Sequence, residues 1–187
     1  APFLLELPPY RMPTAKNIWL HVWQRVRDFL TRAGTIIAAM SVVVWFLQSF
    51  GPNFQMVSDT AESILARFGS FIAPIFAPLG FGAWQAAVAL LTGLIAKEAV
   101  VSSMSLFYGF SMTDYAAAGA AMAVTFSPAA ALAFLVFCAL YTPCVAAIAT
   151  IRREMGSRRW TVLTLAWQLS VAYLASFVAY HLALLVL

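Results

Sequence analysis

The chain has 187 residues, of which 63% are hydrophobic and 10% are charged, and its mean hydropathy is +0.87. This composition excludes an ordinary water-soluble domain, in which about half of the residues are apolar and about a quarter are charged. The net charge of +4 comes from bases clustered beside apolar segments, in 11–32 and 152–159. Such clusters argue against nucleic-acid binding and place both segments on the cytoplasmic side of a membrane.

Three long blocks, 33–58, 115–151 and 160–187, contain no Asp, Glu, Lys or Arg. A helix needs about 20 apolar residues to cross about 30 Å of hydrocarbon, and each block is long enough. The sequence therefore predicts an all-α, polytopic membrane protein. The predicted spans cover about 33–50, 127–151 and 160–187.

The N-terminal region is more polar than these blocks. The prolines of Leu7–Pro13 predict an extended strap. In 14–32, Trp19 and Trp23 share one helical face while bases occupy the other, as in a helix that lies in the membrane interface. Residues 1–32 are predicted to form a cytoplasmic strap and interfacial helix, and 33–187 the transmembrane module. The alternative is a cytoplasmic helix packed on the rest of the protein.

The direction of the spans constrains the segment between them. The first span leaves the cytoplasm, and 127–151 returns to it, so that the chain between 51 and 126 crosses an even number of times. We predict zero crossings and a re-entrant hairpin over about 84–109, with arms Trp84–Ala96 and Ala99–Gly109. A pair of crossings ending with a short helix near 114–125 stays open. Before the hairpin, the pattern predicts a short helix over 56–68 and an irregular connection over 71–82.

Lys97 and Glu98 are the only charged residues between Phe68 and Thr113. A turn at this pair would put Lys97 at the C-terminal end of the first arm and Glu98 at the N-terminal end of the second. Both charges would then suit the local helix dipoles. Gly93 is the nearest residue that favours a helix break.

A second break is predicted at Pro143, within ALYTPCVAAIA. Proline has no N–H, so the carbonyl of Ala139 loses its helical partner. Thr142, Cys144 and Cys138 lie close by in the sequence, and cysteine binds soft or borderline cations. The alternative is a kinked packing helix with inert cysteines. Their position inside an apolar block argues against a structural disulfide or a zinc knuckle.

A charged turn and a proline-broken helix in one small bundle are typical of the midplane sites of secondary transporters. The candidate ion-path residues are Cys144, Thr142, Ala139, Glu98 and Cys138, and the candidate structural breaks are Pro143, Gly93 and Lys97. The sequence contains no hydrolase triad, paired-carboxylate site or nucleotide-binding loop, so we do not predict an enzyme. A structural membrane module is the rival interpretation.

Four stretches resemble one family: ELPPYRMP at 6–13, WQRVRDFLTRAGTII at 23–37, GLIAKEAVVSS at 93–103 and YTPCVAAIATIRREMG at 141–156. They are similar to the C-terminal membrane region, the second gate module, of the bacterial ferrous-iron transport protein B family. The resemblance implies a helical bundle like that of nucleoside-transporter gates. It also implies GTP-regulated uptake of Fe(II) through a multi-pass protein of the bacterial inner membrane.

By this resemblance Cys144 matches the gate cysteine and Glu98 the acidic position of the AKE motif, and both are candidate metal ligands. Fe(II) would be the transported substrate, with no cofactor in this chain and with GTP and Mg²⁺ bound in a separate G domain. The expected partners are the lipid bilayer, the G domain and the first gate module, with a homo-oligomer left open and no nucleic acid. We expect the chain to be a piece of that longer protein. A nucleoside or small-metabolite gate is the alternative function.

Overall fold

The computed structural model describes residues 12–57, 59–111, 113–141 and 144–186. These residues form helices joined by short connections, with one isolated antiparallel bridge between Phe50 and Met56. The predicted all-α class is confirmed. Contacts within the chain divide it into two units, Ala1–Thr35 and Ile36–Leu187, and each is described by itself.

Helix α1 is assigned to Ala15–Ser49. The sequence predicted that one element ends at residue 32 and another begins at 33, but no break in the helix occurs there. The only helix-breaking residue in this range is Gly34, and one glycine costs a helix about 1 kcal/mol or less. On the N-terminal part, Trp19 stacks on Trp23 with ring centroids 6.4 Å apart, as expected for residues one turn apart.

The next three helices are α2 (Ile64–Phe76), α3 (Trp84–Gly93) and α4 (Glu98–Tyr108). The predicted helix over 56–68 starts only at Ile64, and the connection predicted over 71–82 starts only at Ala77, because α2 begins later and continues through Pro74. A proline near the C-terminal end removes one backbone hydrogen bond, and the packing of α2 on α3 outweighs that loss. Gly69 permits this packing, since a Cβ atom there would lie 2.4 Å from Cγ2 of Val88.

The turn between α2 and α3 is sharp. A 3-10 turn at Ala77–Leu79 follows α2 and ends at Gly80, whose φ of 83° lies in the left-handed region that favours glycine. The axis of Ile64–Leu79 is bent by 102° from that of Trp84–Gly93. The chain therefore enters α3 in a new direction.

The second half of the chain contains α5 (Tyr115–Ala123), α6 (Pro128–Leu140), α7 (Val145–Met155) and α8 (Arg158–Val186). The start of α6 has the expected chemistry: Ser127 is the N-cap and its hydroxyl accepts from the amide of Ala130 at 3.2 Å, with a proline at the first helical position. The axis of Ala116–Ala123 is bent by 110° from that of Pro128–Leu140.

Helices α6 and α8 form the most extensive helix pair of the second unit. Both helices bury small residues completely, among them Ala133 on α6 and Ala172 on α8, and such residues let helices approach closely in lipid. The buried hydroxyl of Ser176 on α8 donates to the carbonyl of Ala133 on α6 at 2.7 Å. Stacked and edge-on rings of Phe81, Phe134 and others continue the core.

The outer surface carries large apolar side chains in numbers that a soluble domain rarely exposes. On α8, Leu163, Trp167 and Leu174 are 58%, 70% and 63% exposed. Among the described residues, α8 is the one helix long and apolar enough to cross a membrane, and each of the two bent helix pairs adds one crossing if it acts as a single span. The apolar part of α1, Ile37–Ser49, is shorter. The chain is a helical membrane protein.

Candidate ion-path site at the crossing of two broken helices

The first predicted break lies at 94–97, between α3 and α4. The last turn of α3 tightens, with the amide of Leu94 bonded to the carbonyl of Leu91 at 3.2 Å, and the helix ends. The arms then run antiparallel, because the hydroxyl of Thr92 lies 2.8 Å from that of Ser103 and the ring of Trp84 lies 5.2 Å from that of Phe107. Residues 84–109, where the sequence predicts a hairpin, thus contain a fold-back of two short helices. That this hairpin enters and leaves the membrane on the same side stays a prediction.

The second predicted break lies between the end of α6 at Leu140 and the start of α7 at Val145. The amide of Tyr141 closes α6 by donating to the carbonyl of Phe137 at 2.8 Å, and Cys144 is the N-cap of α7. The predicted interruption of the helix is confirmed. Thr142 and Pro143, two of the residues singled out in the sequence, lie outside the described residues.

The two breaks bond directly to each other. The first amide of α7, on Val145, donates to the carbonyl of Leu94 at the end of α3 over 2.7 Å. The hydroxyl of Tyr141 donates to the carbonyl of Leu90 at 3.4 Å. Backbone groups that each helix leaves unpaired therefore find partners in the other break, as membrane-embedded backbone requires.

Gly93 makes this crossing close. A Cβ atom on Gly93 would lie 2.3 Å from the hydroxyl oxygen of Tyr141 and 2.4 Å from Cγ2 of Val100. Both distances are far below van der Waals contact, so a side chain at 93 would force the side chains of Tyr141 and Val100 to shift. The sequence indicated Gly93 as a residue that favours a helix break. In the structure, Gly93 is also the point where α3 comes close to Tyr141.

The ammonium of Lys97 does not cap the first arm, and that prediction is wrong. Helix α3 already ends at Gly93, so that Lys97 is the N-cap of α4 and its side chain points to another helix end. Its Nζ donates to the carbonyls of Cys138 at 3.2 Å and Ala139 at 3.4 Å, at the C-terminal end of α6. The same Nζ lies 5.1 Å from the ring centroid of Tyr141, in cation–π range.

The carbonyl of Ala139 was predicted to lose its helical partner, and in the structure it accepts from Lys97. Glu98 is the first residue of α4, as predicted, where a carboxylate suits the helix dipole. Its side chain is exposed, and no hydrogen bond joins its carboxylate to any residue that the structure describes.

Both cysteines are free thiols of intermediate exposure. Cys138 lies on α6, and its backbone carbonyl forms part of the crossing, whereas Cys144 opens α7. Within the described parts of the chain, no group of three or more His, Cys, Asp or Glu side chains is placed to hold a metal ion. A cation at this crossing would therefore depend on backbone carbonyls as well as on side chains.

Tyr141 is the residue that the sequence reasoning missed. It is buried, stacks on Phe137 with centroids 5.5 Å apart, and meets both Gly93 and Lys97. The available signal was its place as the last residue before the Thr-Pro-Cys break. A tyrosine there can pack its ring and bond its hydroxyl to a carbonyl that a broken helix exposes.

An all-α membrane protein in which a folded-back helix pair meets a broken helix is a gate-type module, and the family comparison agrees. Residues 30–158 match the Gate family model, described as "Nucleoside recognition", and the chain belongs to this family. Residues 1–25 match the family "Ferrous iron transport protein B C terminus". The resemblance stated from the sequence is thereby confirmed.

Curated relatives named "Fe(2+) transporter FeoB" match nearly the whole chain. The Staphylococcus aureus (strain COL) protein is 41% identical over 181 residues, covering 96% of this chain and 26% of the relative. The Methanocaldococcus jannaschii protein is 37% identical, covering 94% and 26%, and the Campylobacter jejuni protein is 32% identical, covering 100% and 32%. The chain thus spans about a quarter to a third of their length, in their C-terminal part. No solved structure matches.

Proposed function

We propose that this chain is the second gate module of a GTP-regulated transporter that takes up Fe(II) across the bacterial inner membrane. The observation that carries the proposal is the bond between the two helix breaks, from the amide of Val145 to the carbonyl of Leu94. This bond joins the helix break that precedes Lys97 and Glu98 to the helix break that contains Cys144, in an apolar bundle. The identity of the transported metal, Fe(II), is inferred from the name of the relatives, "Fe(2+) transporter FeoB".

The crossing offers ligands of two kinds to a cation that must exchange its water shell for protein groups. The sulfur of Cys144 is a soft donor that suits Fe(II), while the carbonyl of Ala139 and the carboxylate of Glu98 are hard donors. Cys138 would add a second sulfur, and Thr142, two residues before Cys144 in the sequence, would add a hydroxyl. These ligands do not surround the cation completely, so they bind Fe(II) weakly enough to release it, as conduction requires.

The remaining parts of the transporter would lie outside this chain. We propose that a G domain binds GTP and Mg²⁺ and controls the gate, and that a first gate module supplies the opposite wall of the path. The basic segments 11–32 and 152–159 would face the cytoplasm in a multi-pass arrangement. The bilayer would cover the exposed apolar surface of α8.

The test is iron uptake by the full-length transporter carrying Cys144→Ser or Glu98→Gln. Glu62→Gln, which removes another exposed carboxylate, is the matched control. Loss of a ligand or of a group that orients it commonly costs on the order of tenfold or more, so we expect at least that loss in both site variants and none in the control. Uptake at the normal rate in both site variants would remove the two residues from the path.

A nucleoside or small-metabolite gate is the second candidate, favoured by the description of the matched family, "Nucleoside recognition". A cavity of about 400 Å³ lies beside the crossing, but apolar side chains line it, among them Leu90, Leu94, Phe137 and Ile148. A nucleobase needs convergent polar groups, which this lining does not supply. Thermal stabilisation of the protein by nucleosides, without stabilisation by Fe(II), would favour this candidate over iron transport.

A further inference from the structure

The ammonium of Lys97 rests in surroundings that suit any small cation. Its two acceptors, the carbonyls of Cys138 and Ala139, belong to the last turn of α6, where unpaired carbonyls carry partial negative charge. The aromatic face of Tyr141 adds a third attraction at 5.1 Å. Two carbonyls and a ring therefore form a cation seat, and a side chain of the protein itself occupies it.

We propose that this seat is a cation-binding position of the path, which Lys97 fills at rest and which a divalent metal ion takes after displacing the ammonium. The inference rests on the proposed function and deepens it, because it adds the Cys138 carbonyl and the Tyr141 ring to the path. Lys97 acts as a tethered competitor: a cation enters the seat only if it binds the carbonyls better than the ammonium does.

The seat is rigid, whereas its occupant is held loosely. The backbone around the seat is held by the 2.7 Å hydrogen bond from the amide of Val145 to the carbonyl of Leu94 and by the close contact of Tyr141 with Gly93. The bonds of Lys97 are longer, 3.2 Å and 3.4 Å, against a usual distance of about 2.9–3.0 Å for N–H···O. The side chain is exposed along a flexible four-carbon stem, so that the ammonium can leave while the carbonyls stay in place.

Charge makes the exchange selective. An ammonium and a metal ion cannot share the two carbonyls, because like charges at contact distance repel each other. A divalent ion gains about twice the electrostatic attraction of a monovalent one from the same carbonyls at the same distance, and it displaces Lys97 where this gain exceeds the larger cost of removing its water shell. Removal of the ammonium should therefore strengthen the binding of the metal and weaken the rejection of monovalent cations.

The direct test compares the reactivity of two amines. Lys97 and Lys16 are the two lysines of this chain, and Lys16 lies on α1 as an internal control. The full-length transporter in lipid vesicles is treated with a small amine-acylating reagent, with and without anaerobic Fe(II), and the labelled peptides are quantified by mass spectrometry. A thiol reagent in a parallel sample reports on Cys144.

We expect Fe(II) to raise the labelling rate of Lys97 and to leave that of Lys16 unchanged. The rate follows the fraction of time that the amine is free, so a shift from about one tenth free to almost fully free raises it about tenfold. An unchanged or lower Lys97 rate would overturn the inference, whatever happens at Cys144. Protection of Cys144 from the thiol reagent without release of Lys97 would support the iron path but refute the cation seat. Release of Lys97 without protection of Cys144 would support the cation seat and would show that Cys144 does not bind the metal.

Transport by two variants gives a second readout. Lys97→Gln keeps a hydrogen-bond donor but removes the charge, and we expect its KM for Fe(II) to fall several-fold and its inhibition by K⁺ to rise. Lys97→Arg keeps a positive charge at this position, so its KM for Fe(II) and its inhibition by K⁺ should change less than those of Lys97→Gln. A Lys97→Gln protein that folds and transports with unchanged KM and unchanged inhibition by K⁺ would contradict the inference. If Lys97→Gln fails to fold, the effect of Fe(II) on the labelling rate of Lys97 in the parent protein decides whether the inference holds.

Discussion

Substitution of Gly93 by alanine tests the crossing most directly. The new Cβ atom would lie 2.3 Å from the hydroxyl oxygen of Tyr141 and 2.4 Å from Val100, so both contacts must open by about 1 Å to reach ordinary separation. Overpacking of this size costs about 1–3 kcal/mol. The backbone of Gly93 is helical, and alanine recovers about 0.5–1 kcal/mol there. The net destabilisation is about 1–2 kcal/mol.

The measurement is the thermal unfolding of the purified protein in detergent. For a domain of this size each kcal/mol lowers the midpoint by about 2–4 °C, so Gly93→Ala should lower it by about 2–8 °C. Gly119→Ala is the matched control, because Gly119 also lies in a helix but has open space around it, and its midpoint should stay the same or rise slightly. Equal midpoints for the two variants would refute the close approach.

A double variant locates the clash. In Gly93→Ala with Tyr141→Phe, the hydroxyl oxygen is gone and the nearest ring carbon lies at 3.6 Å from the new Cβ, an ordinary contact. Tyr141→Phe alone loses a long bond to a backbone carbonyl, worth about 1 kcal/mol or less. The double variant should therefore be more stable than the sum of the single effects predicts. Strict additivity would show that Tyr141 is not the residue that Gly93 accommodates.

Two further predictions concern the packing that supports the crossing. Ser176→Ala breaks the buried bond from α8 to a carbonyl of α6 and should destabilise the protein by about 0.6–2 kcal/mol, whereas Ser170→Ala, which breaks an exposed bond within α8, should be nearly neutral in the same unfolding assay. Gly80→Ala combines a left-handed backbone with a Cβ atom 2.2 Å from the ring of Tyr180, while Gly156→Ala has the same backbone problem in open space. The first should cost at least about 1 kcal/mol more than the second, and similar losses would refute the contact with Tyr180.

The sequence by itself determined the class of the protein and two of the places where its helices break. Long uncharged blocks require helices, because lipid offers no partners for an unpaired backbone. Proline at 143 and glycine at 93 mark breaks through strictly local rules, since each acts on its own turn of helix. For the same reason the sequence could place Glu98 at the start of α4 and expose the carbonyl of Ala139.

The tertiary structure decided which donors bond to the backbone carbonyls that these breaks leave unpaired. Lys97 bonds to residues 41 and 42 positions away, at Cys138 and Ala139, and no pattern within a few turns of Lys97 contains that information. Local dipoles alone favoured a cap on α3, and that prediction was wrong. Likewise α2 continues through Pro74, because packing on α3 offsets one lost hydrogen bond. A local rule states that a carbonyl needs a partner, and only the packing of distant helices determines which partner reaches it.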